Sequence, residues 1–118
     1  MSSNDTDRRI HTRVRLEIWV EESHDDTIYF LHSENLSTGG MFLAGTLPHP
    51  PGTVVSLKFT LPGEDLPITT RGEVIANPSD HQVGMRVRFI DLDDNPGLRT
   101  RLADFCSRRA SIDSELVD

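Results

Sequence analysis

Between Val14 and Val20 the chain alternates without interruption: Val14, Leu16, Ile18 and Val20 are apolar, and Arg15, Glu17 and Trp19 stand between them. A period of two places successive side chains on opposite faces of an extended strand, so this stretch suits a sheet with one buried face and does not suit an amphipathic helix. Related stretches follow. Ile28 to His32 leads into Asn35, Met41-Phe42-Leu43 is apolar, and Val55, Leu57 and Phe59 alternate with Ser56, Lys58 and Thr60. Ile68 to Ala76 and Val83 to Ile90 complete the set. Between them lie turn formers: Ser23 to Thr27, Gly39-Gly40, Pro48-His49-Pro50-Pro51-Gly52, Leu61-Pro62-Gly63-Glu64-Asp65 and Asn77-Pro78-Ser79-Asp80. About six short strands with this punctuation predict a small antiparallel barrel or sandwich, and a β-barrel is the expected fold.

The last part of the chain changes period. Asp94 or Asn95 can cap a helix, Pro96 suits its first turn, and Leu98, Leu102 and Phe105 recur at helical spacing, with Arg108 and Arg109 near the negative end. A helix over 95–109 is expected to lay this stripe on the barrel. The 118 residues allow one domain and a modest core. Residues 1–7 read as a polar tail and 110–118 as an acidic one. No apolar run approaches the ~20 residues needed to cross a bilayer, and the polar start lacks a signal-peptide core, so a cytoplasmic protein without membrane insertion is expected. Cys106, the single cysteine, is expected to be a small core residue on the helix.

Charge narrows the function. The formal net charge is −7, yet Arg8, Arg9, Arg13 and Arg15 gather in one short window while acids collect at Glu21-Glu22, Asp25-Asp26, Asp91 to Asp94 and the C-terminus. An acidic body with a local basic site suits a small, tightly gripped anion better than DNA or RNA, which would lie across the whole surface. Guanidinium is planar and permanently charged, and it can hold phosphate oxygens bidentately or lie on a purine ring. By themselves Arg9 and Arg13 fit a solvated basic arm better than a ligand clamp, and Asn35 and Ser37 are ordinary turn formers. His24-Asp25-Asp26 and His49 lack the spacing of a metal site. In Asp91-Leu92-Asp93-Asp94-Asn95-Pro96-Gly97, Pro96 stands where a calcium loop needs glycine and Leu102 where it needs glutamate. Ser37 has no histidine at a recognisable relation and no GxxxxGK[ST] loop occurs, so neither catalysis nor a cofactor is expected.

In that order and spacing, Arg9 with Arg13 and Asn35 with Ser37 and Gly40 resemble the RxxxR and (D/N)xSxxG signatures of the PilZ family, the bacterial receptors for cyclic dimeric GMP (c-di-GMP). The likeness runs from Arg8 to Cys106. It implies a mainly β fold: a six-stranded antiparallel PilZ-type β-barrel with a C-terminal α-helix, within a domain over 8–109. That domain would comprise an arginine arm at 8–13, a barrel at 14–90 and a helix at 95–109. It further implies that Arg9 and Arg13 clamp the ligand, with Arg8 adding field. Asn35 would bond a guanine edge, and Ser37 a phosphate or base. Gly40 matches the motif glycine, and Gly39 adds a position free to take positive φ. Gly84-Met85-Arg86-Val87-Arg88-Phe89 resembles the strand that ends the family's barrel, which makes Gly84, Arg86 and Arg88 secondary candidates; an exposed face paired with cross-strand acids explains the two arginines as well. The implied function is a c-di-GMP receptor that changes conformation and signals to an unidentified protein partner, and the alternative is a PilZ-like adaptor that works without nucleotide. Trp19, opposite the first strand's apolar set, is left to cover an edge, pack under the helix or mark a partner surface.

Overall fold

The computed structural model describes residues 13–75 and 83–117, with side chains described as far as Ala110. Six strands form: β1 (Val14–His24), β2 (Thr27–Leu36), β3 (Gly40–Ala44), β4 (Val54–Phe59), β5 (Ile68–Ile75) and β6 (Gly84–Phe89). A short 3₁₀ turn, Leu92–Asp94, then leads into helix α1, Pro96–Val117. The strands close into an antiparallel barrel in the order β1-β2-β3-β6-β5-β4, with β1 returning to β4 through Val20 opposite Phe59 and Ser23 opposite Ser56. The expected six-stranded barrel with a C-terminal helix is therefore the observed fold.

Burial follows the alternation. Val14, Leu16, Ile18 and Val20 enter the core with Val55, Leu57 and Phe59 of β4 and Met85, Val87 and Phe89 of β6. Each such leucine or valine removes enough apolar surface from water to be worth about 1.5–3 kcal/mol, and the barrel interior is built from these terms. Asn95 starts the helix: its Oδ1 accepts the Leu98 N–H at 3.2 Å, and Pro96 follows in the first turn. Leu102, Phe105 and Cys106 then join the same buried cluster as Val14 and Leu36. Arg101 ties the helix to the loop after β4, donating from Nε to Glu64 Oε1 at 2.7 Å and from its terminal nitrogen to the Leu66 carbonyl.

Three boundaries differ from the sequence expectation. The turn after β1 is only Asp25-Asp26, because Ser23 pairs with Ile28 and His24 with Thr27. Asp25 adopts φ 54°, a left-handed conformation that aspartate tolerates better than most residues, so two residues suffice to reverse the chain. β2 runs on to Leu36, which makes Asn35 a strand residue rather than part of a turn. Helix α1 continues past Arg109 to Val117, through residues expected to form a tail, since the sequence there holds neither glycine nor proline to stop it.

Two packing details set the tolerance of the barrel. At Gly40, an added Cβ would stand 2.0 Å from the Val87 carbonyl oxygen, so β3 and β6 approach here as only glycine permits. Glu22 continues the inward face of β1 and is 1% exposed; its Oε1 lies 3.0 Å from His49 Nε2, while Oε2 has no hydrogen-bond partner among the described residues. A buried carboxylate needs such a partner.

Gly40→Ala should lower unfolding stability by about 2–3 kcal/mol in chemical denaturation, because the obstructing atom is backbone and cannot swing aside. Burial pushes the Cys106 thiol up to about 11, with Sγ 3.9 Å from the Leu36 carbonyl oxygen. At pH 8 the native protein should accordingly resist iodoacetamide, and alkylation should appear only in denaturant; rapid labelling of the native form would contradict this packing.

Candidate functional site

A cleft of about 620 Å³ opens over the outer side of β3 and β6, bounded by the residue before β1, the end of β2 and the start of α1. Antiparallel pairing builds it. Gly40 stands opposite Arg88, Met41 opposite Val87 and Phe42 opposite Arg86, so the outward positions of β6 are carried beside the turn that precedes β3. Arg86 and Arg88 share that outward face, while Met85, Val87 and Phe89 point inward.

The approach of Asn35 to the cleft depends on a local irregularity. The β2 register shifts against β1 and against β3 around Glu34, and the Ser33 hydroxyl donates to the Asn35 carbonyl at 2.7 Å. Such a bulge bends a strand and re-aims the side chains beside it. The turn that follows is held by Ser37. Its Oγ accepts the Gly39 N–H at 3.1 Å and the Gly40 N–H at 3.2 Å, and its own N–H donates to the Gly40 carbonyl at 3.0 Å. The Gly39 carbonyl accepts the Phe89 N–H at 2.9 Å, which fastens the turn to β6. Ser37 is 8% exposed, so its hydroxyl organises the cleft wall from within.

Of the residues singled out in the sequence, Arg13, Asn35, Ser37, Gly39, Gly40, Arg86 and Arg88 line this one cleft. Arg8 and Arg9 lie outside the described residues. Gly84 does not line the cleft: it opens β6 opposite Ala44, where an added Cβ would meet the Leu43 carbonyl oxygen at 2.4 Å, so its role is packing. Positive φ occurs at Gly45, Gly52, Gly63 and Gly84 but not at Gly39. Gly40 is needed for strand approach rather than for left-handed backbone. Trp19 neither covers an edge nor packs under the helix; it is 71% exposed on the outside of β1, its ring centroid 5.2 Å from that of His32.

The structure adds Arg99, on the first turns of α1, to the cleft wall. Its terminal nitrogen lies 2.9 Å from Asp93 Oδ1. Arg99 lies off the Leu98–Leu102 stripe, and only the barrel's closure shows which strands the helix start overlooks. That start is anchored by Asp91, whose Oδ2 accepts from Arg71 N–H at 3.2 Å and Nε at 3.0 Å, and whose Oδ1 accepts from the terminal nitrogen at 2.8 Å. Hydrogen bonding from Arg71 holds the Asp91 carboxyl below the usual carboxylate range. Four guanidinium groups, from Arg13, Arg86, Arg88 and Arg99, thus face one cleft. Arg88 is paired with its cross-strand neighbour Glu73 and Arg99 with Asp93, while Arg13 and Arg86 make no ion pair among the described residues. Such a concentration of planar cations beside the apolar ring of Phe42 is suited to a flat, phosphate-bearing ligand.

Comparison with known proteins agrees with this architecture. The family model described as "PilZ domain" matches residues 7–108. Among solved structures, the chain is similar to the Bacillus subtilis inhibitor of motility MotI/DgrA, with a TM-score of 0.70 and 23% identity; the match covers 87% of this chain and 51% of that one. The chain thus spans about half the length of that protein, and the likeness extends to the fold. Curated proteins yield no match.

Ser37→Ala leaves the Gly39 and Gly40 N–H groups without their acceptor, so it should destabilise the ligand-free protein by about 1–2 kcal/mol. A thermal midpoint equal to that of the parent would show that the hydroxyl is not needed to hold the turn.

Proposed function

The chain belongs to the PilZ family, and we propose that it is a receptor for c-di-GMP, whose binding in the β3–β6 cleft is passed to a protein partner. The observation that carries this reading is the convergence of Arg13, Asn35 and the Ser37–Gly40 turn with Arg86 and Arg88 on a single cleft. In the bound state, Arg13 and Arg9 hold the phosphodiesters and stack on guanine, with Arg8 adding positive field. Asn35, whose amide both donates and accepts, bonds the guanine edge without bringing negative charge beside phosphate. Arg86 and Arg99 extend the cationic wall along the ligand. The turn set by Ser37 and Gly40 is the fixed floor, and closure of the arginine segment over the ligand is the conformational change that a partner reads.

Binding rather than catalysis fits the side chains available. Among the described residues no histidine or cysteine lines the cleft, the Ser37 hydroxyl accepts two backbone N–H groups, and the Cys106 thiol is buried. No helix among the described residues is long and apolar enough to cross a membrane. The adaptor alternative draws on a specific observation, the prior engagement of Arg88 by Glu73 and of Arg99 by Asp93. A ligand must displace or accommodate those carboxylates.

Calorimetric titration with c-di-GMP separates the two readings and gives the stoichiometry. Arg9→Ala and Arg13→Ala should each weaken binding at least about tenfold, the loss expected for one or more charge-assisted hydrogen bonds, while shifting the thermal midpoint of the free protein little. Parent-like affinity in both variants would sink the clamp, and no binding by the parent chain would leave the adaptor.

A further inference from the structure

The wall of the barrel opposite the cleft carries a second feature that nucleotide binding does not use. On the outer face of the β1–β2 hairpin, Trp19 is 71% exposed, Phe30 70% and Ile28 58%. Trp19 pairs with His32 and Glu21 with Phe30, so the two large rings are diagonal neighbours across the strands. They form one side of a groove whose other side is Pro62 and Pro67, with Phe59 and Val20 beneath. Large exposed rings gathered around a groove, rather than scattered singly, mark surfaces that bind protein.

The charges around the groove choose among occupants. Glu17 and Glu21 line it against one cation, Lys58, which stands in register with Glu21, and the hairpin ends in Asp25-Asp26. Phosphate of nucleic acid or anionic lipid would meet carboxylates there. A second copy of the chain, packing the same patch on itself about a two-fold axis, would set the acidic rims against one another. β1 pairs with β2 along its length and with β4 from Val20 to Ser23, and beside that pairing the exposed rings of Trp19 and Phe30 give a partner its purchase.

We infer that this groove is a docking site for a protein partner that inserts an aromatic or leucine side chain between Trp19 and Pro67 and carries lysine or arginine beside it to meet Glu17 and Glu21. The site names the chemistry of the partner that the receptor reading requires, and to that extent rests on it. Because the groove lies on β1 and β4 and the cleft on β3 and β6, ligand and partner can be held together. β1 joins the two, with Arg13 just before its first residue and Trp19 along its length.

A displayed library of random short peptides, selected on the full chain and counter-selected on Phe30→Glu, tests this. Enriched sequences should place lysine or arginine next to an aromatic residue or leucine. A synthetic peptide of the consensus should shift the emission of Trp19, the sole tryptophan, to shorter wavelength in a saturable manner. Glu17→Gln with Glu21→Gln should weaken that peptide about tenfold, and Phe30→Ala should weaken it further. Failure to enrich, enrichment of acidic or uncharged sequences, or equal binding to Phe30→Glu would overturn the assignment. A blue shift with rising protein concentration alone would overturn it in favour of self-association. Phe30→Glu should keep the parent's thermal midpoint and c-di-GMP affinity, so loss of the groove and loss of the nucleotide site are read independently.

Discussion

The close approach of β3 to β6 at Gly40 is the contact on which the rest of this molecule depends. With Val87's carbonyl oxygen where a Cβ would be, the two strands run near enough to place Gly40 opposite Arg88 and Phe42 opposite Arg86. That single registration closes the barrel on one side and makes the floor of the cleft on the other. It also explains the economy of the Ser37 turn, which must deliver the chain from β2 to β3 without lifting Gly40 off its neighbour. Structure and candidate chemistry share the same few backbone atoms.

Electrostatically the molecule is divided by its own topology. A chain with a formal charge of −7 keeps four arginines around one cleft by drawing them from four places in the sequence: the residue before β1, two outward positions of β6 and the first turns of α1. Two are held by neighbouring carboxylates, which neutralise part of the field and fix the side chains in position. Carboxylates predominate at the opposite groove beside Trp19 and Phe30. The two faces therefore differ in charge, arginine prevailing at one and carboxylate at the other.

Much of this was legible in the linear sequence. The period of two in β1, β4 and β6 gave the strands and their buried faces, and Asn95-Pro96 gave the start of the helix. Extents were harder to read: Asp25 reverses the chain in two residues through a left-handed backbone, and no breaker ends α1 at Arg109. For the site, the motif residues located the turn, yet the reason for each differed from its usual explanation. Gly40 serves approach rather than φ, Ser37 serves the turn from inside, and Gly84 packs against Leu43 and Phe42 away from the cleft. Arg99 was invisible because its relation to β3 and β6 is made by closure, which no local pattern encodes. Glu22, in register with an apolar face, gave no hint of His49 as its partner, since the two are brought together only by the loop after β3.

The strand order also governs the sequence of events during synthesis. β1 and β2 can pair as soon as both have left the ribosome, and β4 can join β1 soon afterwards, but β3 waits for β6, which is made after β4 and β5. Pairings so distant along the chain form late in folding because a long loop must first be closed. The arginine-lined cleft is built on that last pairing. A nascent chain halted before Arg88 therefore has most of a barrel and no cleft, which arises only as the domain is completed.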